Sequence, residues 1–218
     1  MATSHRSRSW SWVDFLLDRG GVVELSACAW ALREGVLLEL ARPRGELGLD
    51  AGARELLEYG ALLHDIGHAI DRDRHHRHGA YLIRNAELLG FAQDEVLLLA
   101  QLVRAHRKQA PKPASPELTA LPARRRRQLR TLAAVLRLAD ALDRTHFGVV
   151  RGIHVTHHAG RLVIGVDAHG DNAELELWAA ERRADLLARL LGHPVTLREE
   201  TPRQRSSLRL RTVTARIR

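Results

Sequence analysis

Five residues whose side chains bind metal ions or move protons are spread through the middle of this sequence. They are His64, Asp65, His75, His106 and Asp140. The first two lie in the apolar stretch ALLHDIGHAI, and the last shares a helical stripe with leucines and alanines. A carboxylate is costly to bury without a partner. We therefore expect a cation to neutralise the acidic members of this set.

The mixture of imidazole and carboxylate groups indicates which cations would suit. Such ligands are typical of Mn, Fe and Zn sites, and carboxylate-rich variants accept Mg. If the helix carrying His64 and Asp65 crosses the helix carrying Asp140, the two helices could share one ion. His75 and His106 could bind a second ion or position a substrate phosphate.

Three other interpretations stay open at this point. A His-Asp pair carries little information in a chain with 13 histidines. The histidine-rich stretch at residues 75–78 could be a solvated loop, and Asp140 could pair with Arg137 or Arg144 instead of a metal ion. The order of the residues favours a site, because acids and histidines on four successive segments seldom arise together by chance.

The segments that must position these residues are predicted to be mostly helical, from apolar periodicity and from residues that cap helices. The predicted helices are one from its N-cap Asp50 to Ile66, stopped by Gly67; residues 79–89, ended by Gly90; one beginning at Asp94; and residues 123–147. The buried stripe of the last comprises Leu129, Leu132, Ala133, Leu136, Ala139 and Asp140. Upstream, residues 22–30 are predicted as a strand and residues 31–42 as a short helix.

The sequence pattern changes after Gly148. Residues 151–167 carry Val and Ile at alternating positions, which predicts a β-hairpin that turns at Ala159–Gly160. A helix at 172–192 and strands at 194–200 and 207–218 are predicted to follow. We predict a mainly α fold, a helical bundle followed by a small α+β module of hairpin, helix and strand. The expected divisions are an N-terminal tail with a short strand and helix at 1–45, the helical domain at 46–150, and the module at 151–218.

Composition narrows the classes of partner and compartment. The net charge is +8, but Lys108 and Lys112 are the only lysines, so the arginine excess indicates codon bias rather than selection for nucleic acid. Cys28 is the only cysteine, which excludes an internal disulfide and favours a reducing, cytoplasmic location. No apolar run approaches the roughly 20 residues needed to span a membrane, and no signal peptide is expected.

The series of histidines and acids resembles the HD superfamily of metal-dependent phosphohydrolases. More narrowly, the stretches LEYGALLHDIGHAI, HHRHGAYLIRNAELLGF, LVRAHRK, LPARRRR and LAAVLRLADALDRTH resemble the C-terminal region of the exopolyphosphatase/guanosine pentaphosphate phosphatase (Ppx/GppA) family. The segment ALREGVLLEL resembles the end of the actin-like domain that precedes this region in the family. The resemblance covers residues 22–200 and implies an HD-type helical bundle for the helical domain.

This resemblance implies a role for each matching position. The metal ligands would be His64, Asp65, His75, His106 and Asp140, with Asp65 and His106 also catalytic, and His76 near the site. The substrate-binding residues would be His78, Arg107, Lys108 and Arg144. The implied activity is hydrolysis of a nucleotide, an alarmone or a polyphosphate-like molecule with a divalent ion (Mn, Mg, Fe or Zn). Such an ion would activate water and stabilise charge on the phosphate.

Two departures from the family pattern keep other functions open. No histidine lies between Ala29 and Leu63, where the superfamily places a further metal ligand, and the actin-like domain that carries exopolyphosphatase catalysis has no counterpart in these residues. A non-catalytic module that binds nucleotide or polyphosphate, or that mediates dimerisation, is therefore the alternative. A degenerate remnant that has lost a core helix is a third interpretation.

The same gap predicts an uncovered apolar face. The residues of this face are Leu56, Leu57, Ala61 and Leu63. Large exposed apolar patches are uncommon on monomers and usually mark an interface. We therefore expect either a homodimer that buries this face or residues 11–40 folded across it. In both cases a bound metal ion would keep an open coordination position and would be removed readily by a chelator.

Overall fold

The protein is described by a computed structural model. The part of the chain that the structure describes comprises residues 47, 49–107, 116–119, 121–158, 160–168 and 173–200. The strand predicted at 22–30, the helix at 31–42 and the strand at 207–218 lie outside these residues. Within the described part, no helix combines the length and apolarity needed to cross a membrane.

The first half of the described chain is helical. The helices are α1 (Ala51–Leu63), α2 (His75–Asn85), α3 (Gln93–Ala105), the single turn α4 (Pro116–Thr119) and the long α5 (Ala123–Leu142). A 3₁₀ turn at Ile66–Ala69 joins α1 to the segment before α2. Asp50 caps α1 as predicted, because its Oδ1 accepts a hydrogen bond of 2.8 Å from the backbone N–H of Ala53.

A small sheet and two short helices follow. Strands β1 (Val150–His158) and β2 (Arg161–Ala168) form the predicted antiparallel hairpin, and β3 (Val195–Glu199) pairs parallel to β2. Helices α6 (Glu174–Glu181) and α7 (Ala184–Leu191) form the crossover between β2 and β3. The observed fold is mainly α with a small α+β module, which confirms the predicted fold class.

Two hydrophobic clusters hold these elements together. The larger one joins α1, α3 and α5 to the sheet and to α6 and α7, and it includes Leu57, Leu136, Ile164 and Leu187. The smaller one lies between the end of α1, α2 and α3. Since the larger cluster continues across residue 150, the domain boundary there stays a prediction.

The apolar face predicted to be uncovered is buried within the single chain. Leu56, Leu57 and Leu63 have no exposed surface and Ala61 has almost none. Leu56, Leu57 and Ala61 belong to the same cluster as the buried side chains of α3 and α5. This face therefore does not require a second copy of the chain, and the alternative cover, residues 11–40, lies outside the described part.

Several helix limits differ from prediction. Helix α1 ends at Leu63 rather than Ile66, because the chain turns at His64 into the 3₁₀ segment. Helix α2 spans His75–Asn85 instead of 79–89, so the polar stretch at its start is helical. The helix predicted at 172–192 divides into α6 and α7, because a turn at Arg182–Arg183 lets both helices direct alanines and leucines into the core.

Candidate metal centre

The ends of several helices meet at one point and bring the predicted ligands there. His64 is the C-cap of α1, His75 is the first residue of α2, and His106 is the C-cap of α3. Asp140 lies in the last turn of α5. All three histidines are buried, so their rings are enclosed by the packing of α1, α2 and α3.

Each of these histidine rings is oriented by its own backbone. The Nδ1 atoms of His64, His75 and His106 lie 2.7, 2.8 and 2.6 Å from carbonyl oxygens three residues earlier. Since a carbonyl only accepts, each Nδ1 is the N–H donor, which in the neutral form of the ring leaves the lone pair on Nε2. The local backbone therefore sets the tautomer in which imidazole binds a metal ion.

Asp65 lies at the centre of these Nε2 atoms. Its Oδ1 is 3.3 Å from Nε2 of His75 and 3.8 Å from Nε2 of His106, and its Oδ2 is 3.2 Å from Nε2 of His64. The carboxylate is three-quarters buried, and its exposed part faces a cavity. Asp65, which was predicted to be both a metal ligand and catalytic, is thus surrounded by three predicted histidines.

The donors of Asp65, His75 and His106 can hold one ion. One ligand atom from each of these residues lies within 4.8 Å of the others. The Nε2 atoms of His75 and His106 are only 3.0 Å apart. With both Nδ1 atoms donating to carbonyls, two lone pairs face each other, so a proton or a cation must lie between them. A pair of imidazoles with a carboxylate suits a divalent transition metal.

His64 and Asp140 lie beside this triad. Nε2 of His64 is 3.9 Å from Oδ1 of Asp140, whose side chain is about three-quarters buried. Among the described residues, the ion-pair partner of Asp140 is this histidine rather than Arg137 or Arg144. Arg137 instead donates a hydrogen bond of 3.1 Å to the carbonyl of Ala105, next to His106.

Burial and the charges of the cluster shift the pKa values of its members in opposite directions. Burial disfavours charge on His64, but the hydrogen bond and charge of Asp65 outweigh this and raise the pKa of His64 to about 9. Burial also opposes ionisation of Asp65, yet the hydrogen bond and charge of His64 lower its pKa below the usual range. Burial and the charge of His64 lower the pKa of His106 to about 3, while burial raises that of Asp140.

A cavity of about 750 Å³ opens beside the cluster. Asp65, His75, His106 and Asp140 form part of its wall. Five arginines also line it: Arg72, Arg107, Arg144, Arg182 and Arg183. Guanidinium groups bind phosphate oxygens in bidentate geometry, so this lining matches an anionic ligand with several phosphate oxygens.

Comparison with known proteins gives a consistent assignment. Residues 38–168 match the family model described as Ppx/GppA phosphatase, domain III. The chain belongs to this family. A guanosine-5'-triphosphate,3'-diphosphate pyrophosphatase of Photobacterium profundum is 33% identical over 124 residues, which are 57% of this chain and 22% of that relative. The chain therefore spans only part of the relative's length.

The family assignment confirms the Ppx/GppA part of the predicted resemblance, whereas membership of the HD superfamily stays a prediction. All five predicted metal ligands lie inside the range of the domain III match. The geometry brings suitable donors together, and their part in binding metal stays a prediction.

Only some of the predicted substrate-binding residues line the cavity. Arg107 and Arg144 line the cavity. Arg107 is held there by two hydrogen bonds of 3.0 Å to the carbonyls of Arg72 and Asp73. His78 faces Asp71, with 3.6 Å between Nε2 and Oδ2, and is not part of the cavity wall. Lys108 lies outside the described residues.

Other residues at the site were not predicted. His68 stacks on His75 with 4.0 Å between ring centroids, and its Nε2 lies 3.4 Å from Asp65. Its position three residues after Asp65 is a helical spacing that could have identified it. His76, which the resemblance did place near the site, is buried and packs edge-on against His75 outside the triad. The contribution of α6 to the cavity had no signal in the sequence, because it depends on how the C-terminal module packs.

Proposed function

We propose that this protein is a metal-dependent phosphohydrolase of the HD type that acts on a phosphorylated small molecule. The observation that carries the proposal is the convergence of Asp65, His75 and His106 at the floor of a cavity lined with arginines. Both parts are needed, because the triad supplies a place for a divalent ion and the arginines supply a place for phosphate.

Each residue would contribute in a way that follows from its surroundings. Asp65, His75 and His106 would hold the ion through the atoms that face one another. When bound, a divalent ion supplies a polarised water nucleophile and stabilises negative charge on phosphate. The carbonyls bonded to Nδ1 hold the rings in place, and His64 and Asp140 provide a neighbouring pair that can take up or release a proton.

The arginines would bind and orient the phosphate. Arg107 is fixed against two carbonyls and keeps further N–H donors for the cavity. Arg144 and Arg183 line the wall together with Asp140. A substrate phosphate held between these guanidinium groups and Asp65 would lie next to the triad, which meets the proximity that hydrolysis requires.

A non-catalytic module that binds nucleotide or polyphosphate is the second candidate. The absence of histidine between Ala29 and Leu63 favours it, because the resemblance places a further metal ligand there. The cavity and its arginines would serve this function equally well. The two candidates differ in turnover, whereas both predict binding of a phosphorylated ligand.

The test is metal analysis combined with turnover. The purified protein is analysed for bound metal and then assayed with Mn²⁺ and Mg²⁺ against nucleoside triphosphates, inorganic polyphosphate and phosphomonoesters. Asp65→Asn should lose metal and activity, whereas Glu87→Gln, the same change at an exposed acid away from the cavity, should keep both. A wild-type protein that binds no metal and turns over none of these compounds would refute the hydrolase.

A further inference from the structure

One wall of the cavity carries a large aromatic ring that phosphate chemistry does not require. Trp178 lies on α6 and lines the cavity together with the arginines. The residue is 57% exposed, although tryptophan side chains are usually well buried. It also lies outside residues 38–168, the range of the domain III match, so the family assignment does not account for it.

The indole is held in place by its neighbour on the same helix. The guanidinium carbon of Arg182 lies 5.0 Å from the ring centroid, a cation–π contact. Arg182 lines the same cavity, so the ring and the charge are presented side by side. The contact restrains the indole without burying it, because more than half of the residue stays open to solvent.

The two walls of the cavity match two chemically different parts of one ligand. Arg72, Arg107 and Arg144 can bind phosphate oxygens near the triad. A flat indole offers a chain of phosphates only its single Nε1–H donor, whereas its ring face stacks on any planar aromatic ring, and nucleobases stack on such side chains irrespective of sequence. A cavity of about 750 Å³ lies within the range that holds molecules of nucleotide size.

We infer that Trp178 is the stacking platform for the base of a nucleotide, with the nucleotide's phosphates bound by the arginines beside Asp65. The inference rests on the proposed function for the location of the phosphates, and it narrows the ligand class to nucleoside phosphates in preference to inorganic polyphosphate. It makes Trp178 a specificity-determining residue. The triad and the arginines bind what both ligand classes share, and the indole binds what only one of them has.

The experiment compares two ligands that differ by the nucleoside. Dissociation constants of adenosine triphosphate and inorganic tripolyphosphate are measured by titration calorimetry in Mn²⁺-containing buffer. Trp178→Ala should raise the dissociation constant of adenosine triphosphate by about tenfold or more, as expected from the usual strength of base stacking. The dissociation constant of tripolyphosphate should change by less than about twofold, because this ligand makes no stacking contact.

Two further variants guard against indirect effects. Trp178→Phe keeps an aromatic face and should retain most of the affinity for adenosine triphosphate. Leu175→Ala removes another exposed apolar side chain from α6, outside the cavity wall, and should leave both dissociation constants unchanged. Thermal melts of all variants verify that the fold is intact.

The outcomes separate this inference from the proposed function. Equal weakening of both ligands by Trp178→Ala, no weakening of either, or no binding of adenosine triphosphate to the wild type would overturn the inference. Selective weakening supports it even if no phosphoester is hydrolysed, a result that would refute only the hydrolase. If both ligands are hydrolysed and Trp178→Ala leaves kcat/KM unchanged for each of them, the proposed hydrolase activity stands and the stacking role of Trp178 is refuted.

Discussion

Imidazole nitrogens of histidines at the ends of α1, α2 and α3 lie around the Asp65 carboxylate. This arrangement depends on how the rings are oriented as well as on the presence of histidine. His75 and His106 each use one nitrogen on a carbonyl of their own helix or turn, which leaves the other for Asp65 and for a metal ion. Rotating either ring by half a turn about its Cβ–Cγ bond would exchange Nε2 with Cε1 and place a C–H where a lone pair is required. We therefore expect side chains that cannot be held in this way to be poor replacements for His75 and His106, even when they can bind metal.

The Asp140 carboxylate is expected to matter for metal binding and little for stability. Asp140→Ala should lower metal affinity, because the site loses a nearby negative charge. The metal-free protein should keep its free energy of unfolding, or gain slightly, because burial raises the pKa of this acid and makes its ionised form costly to enclose, while Asp65, at 3.2 Å, still compensates the charge of His64. Metal titrations and melts in chelator provide the measurement. A loss of about 3–5 kcal/mol in chelator would instead mean that Asp140 is one half of a structural ion pair.

The raised pKa of His64 predicts a pH dependence of the metal-free protein. His64 has a pKa of about 9 in the folded protein and 6.5 in the unfolded chain. It therefore makes its full contribution to the free energy of unfolding below pH 6.5, and this contribution is lost as the pH rises through about 9. Chemical denaturation in chelator should show stability falling by an amount on the order of a few kcal/mol across this window. Below 6.5 the lowered pKa of His106 acts in the opposite direction, so stability falls again as the pH drops.

The variant His64→Gln separates this effect from a general alkaline loss of stability. Glutamine does not titrate, so the decline between pH 6.5 and 9 should flatten in this variant. Parallel curves for wild type and variant would show that another group is responsible.

The polar residues of the cluster could be predicted from residue type and order, and the structure does bring them together. What could not be predicted is which ones share a point. His64 and Asp140 form a neighbouring pair beside the triad, and His68 enters from the 3₁₀ turn. These distinctions depend on angles between helices and on distances of about an ångström, which spacing along the chain does not determine.

The predicted metal-binding histidines lie at the ends of helices rather than in their interiors. The sequence predicted the helices from their apolar stripes, and Asp50 correctly marked one beginning. It did not predict the start of α2, because the stretch HHRH has no apolar residue and resembles a loop. Burial of His75 and His76 at the site makes this polar turn helical, and such burial is a tertiary effect.

The close approach of the 3₁₀ turn to α2 depends on Gly67. A Cβ at this position would lie 2.0 Å from the backbone oxygen of His75 and 2.5 Å from the backbone nitrogen of Gly79, and backbone atoms cannot move aside cheaply. Gly67→Ala should therefore displace α2, lower the free energy of unfolding by about 1–3 kcal/mol or more, and weaken metal binding by moving His75 away from Asp65. Denaturation and metal titration give both quantities.

The matched change Gly52→Ala supplies the control. A Cβ at Gly52 would be 3.7 Å from its nearest neighbour, in the first turn of α1, and alanine favours helix over glycine by about 0.5–1 kcal/mol. This variant should be as stable as the wild type or more so, with unchanged metal affinity. Equal losses in the two variants would contradict the role assigned to Gly67.

At the scale of the whole molecule, the site lies where two parts of the fold meet. Helices α1, α2, α3 and α5 position the triad and its neighbours, and α6 with the following turn supplies another part of the cavity lining. The shared hydrophobic cluster fixes one part against the other. The helical part could be anticipated from the motif, whereas the wall formed by α6 could not, because α6 carries no motif of its own.

Metal binding should stabilise the whole fold, because the triad joins three helices. A divalent ion at about 100 times its dissociation constant should add about 2.7 kcal/mol to the free energy of unfolding, if it binds only the folded chain. Melts with Mn²⁺, and again after excess EDTA, measure the gain and its reversal. Asp65→Asn should show no such gain, and an equal rise in this variant would place the ion elsewhere.

The triad is also synthesised earlier than the residues of α6 and the following turn that line the cavity. The three ligands are complete at residue 106, whereas Arg182 and Arg183 follow roughly 75 residues later, which at about 5–20 residues per second takes roughly 4–15 s on a ribosome. During that interval a nascent chain has every donor needed to capture an ion and only part of the surface that would select a ligand. Under the proposed function, a chain that stalls late would therefore carry the donors for the ion without the arginines of the 182–183 turn that help to discriminate between ligands.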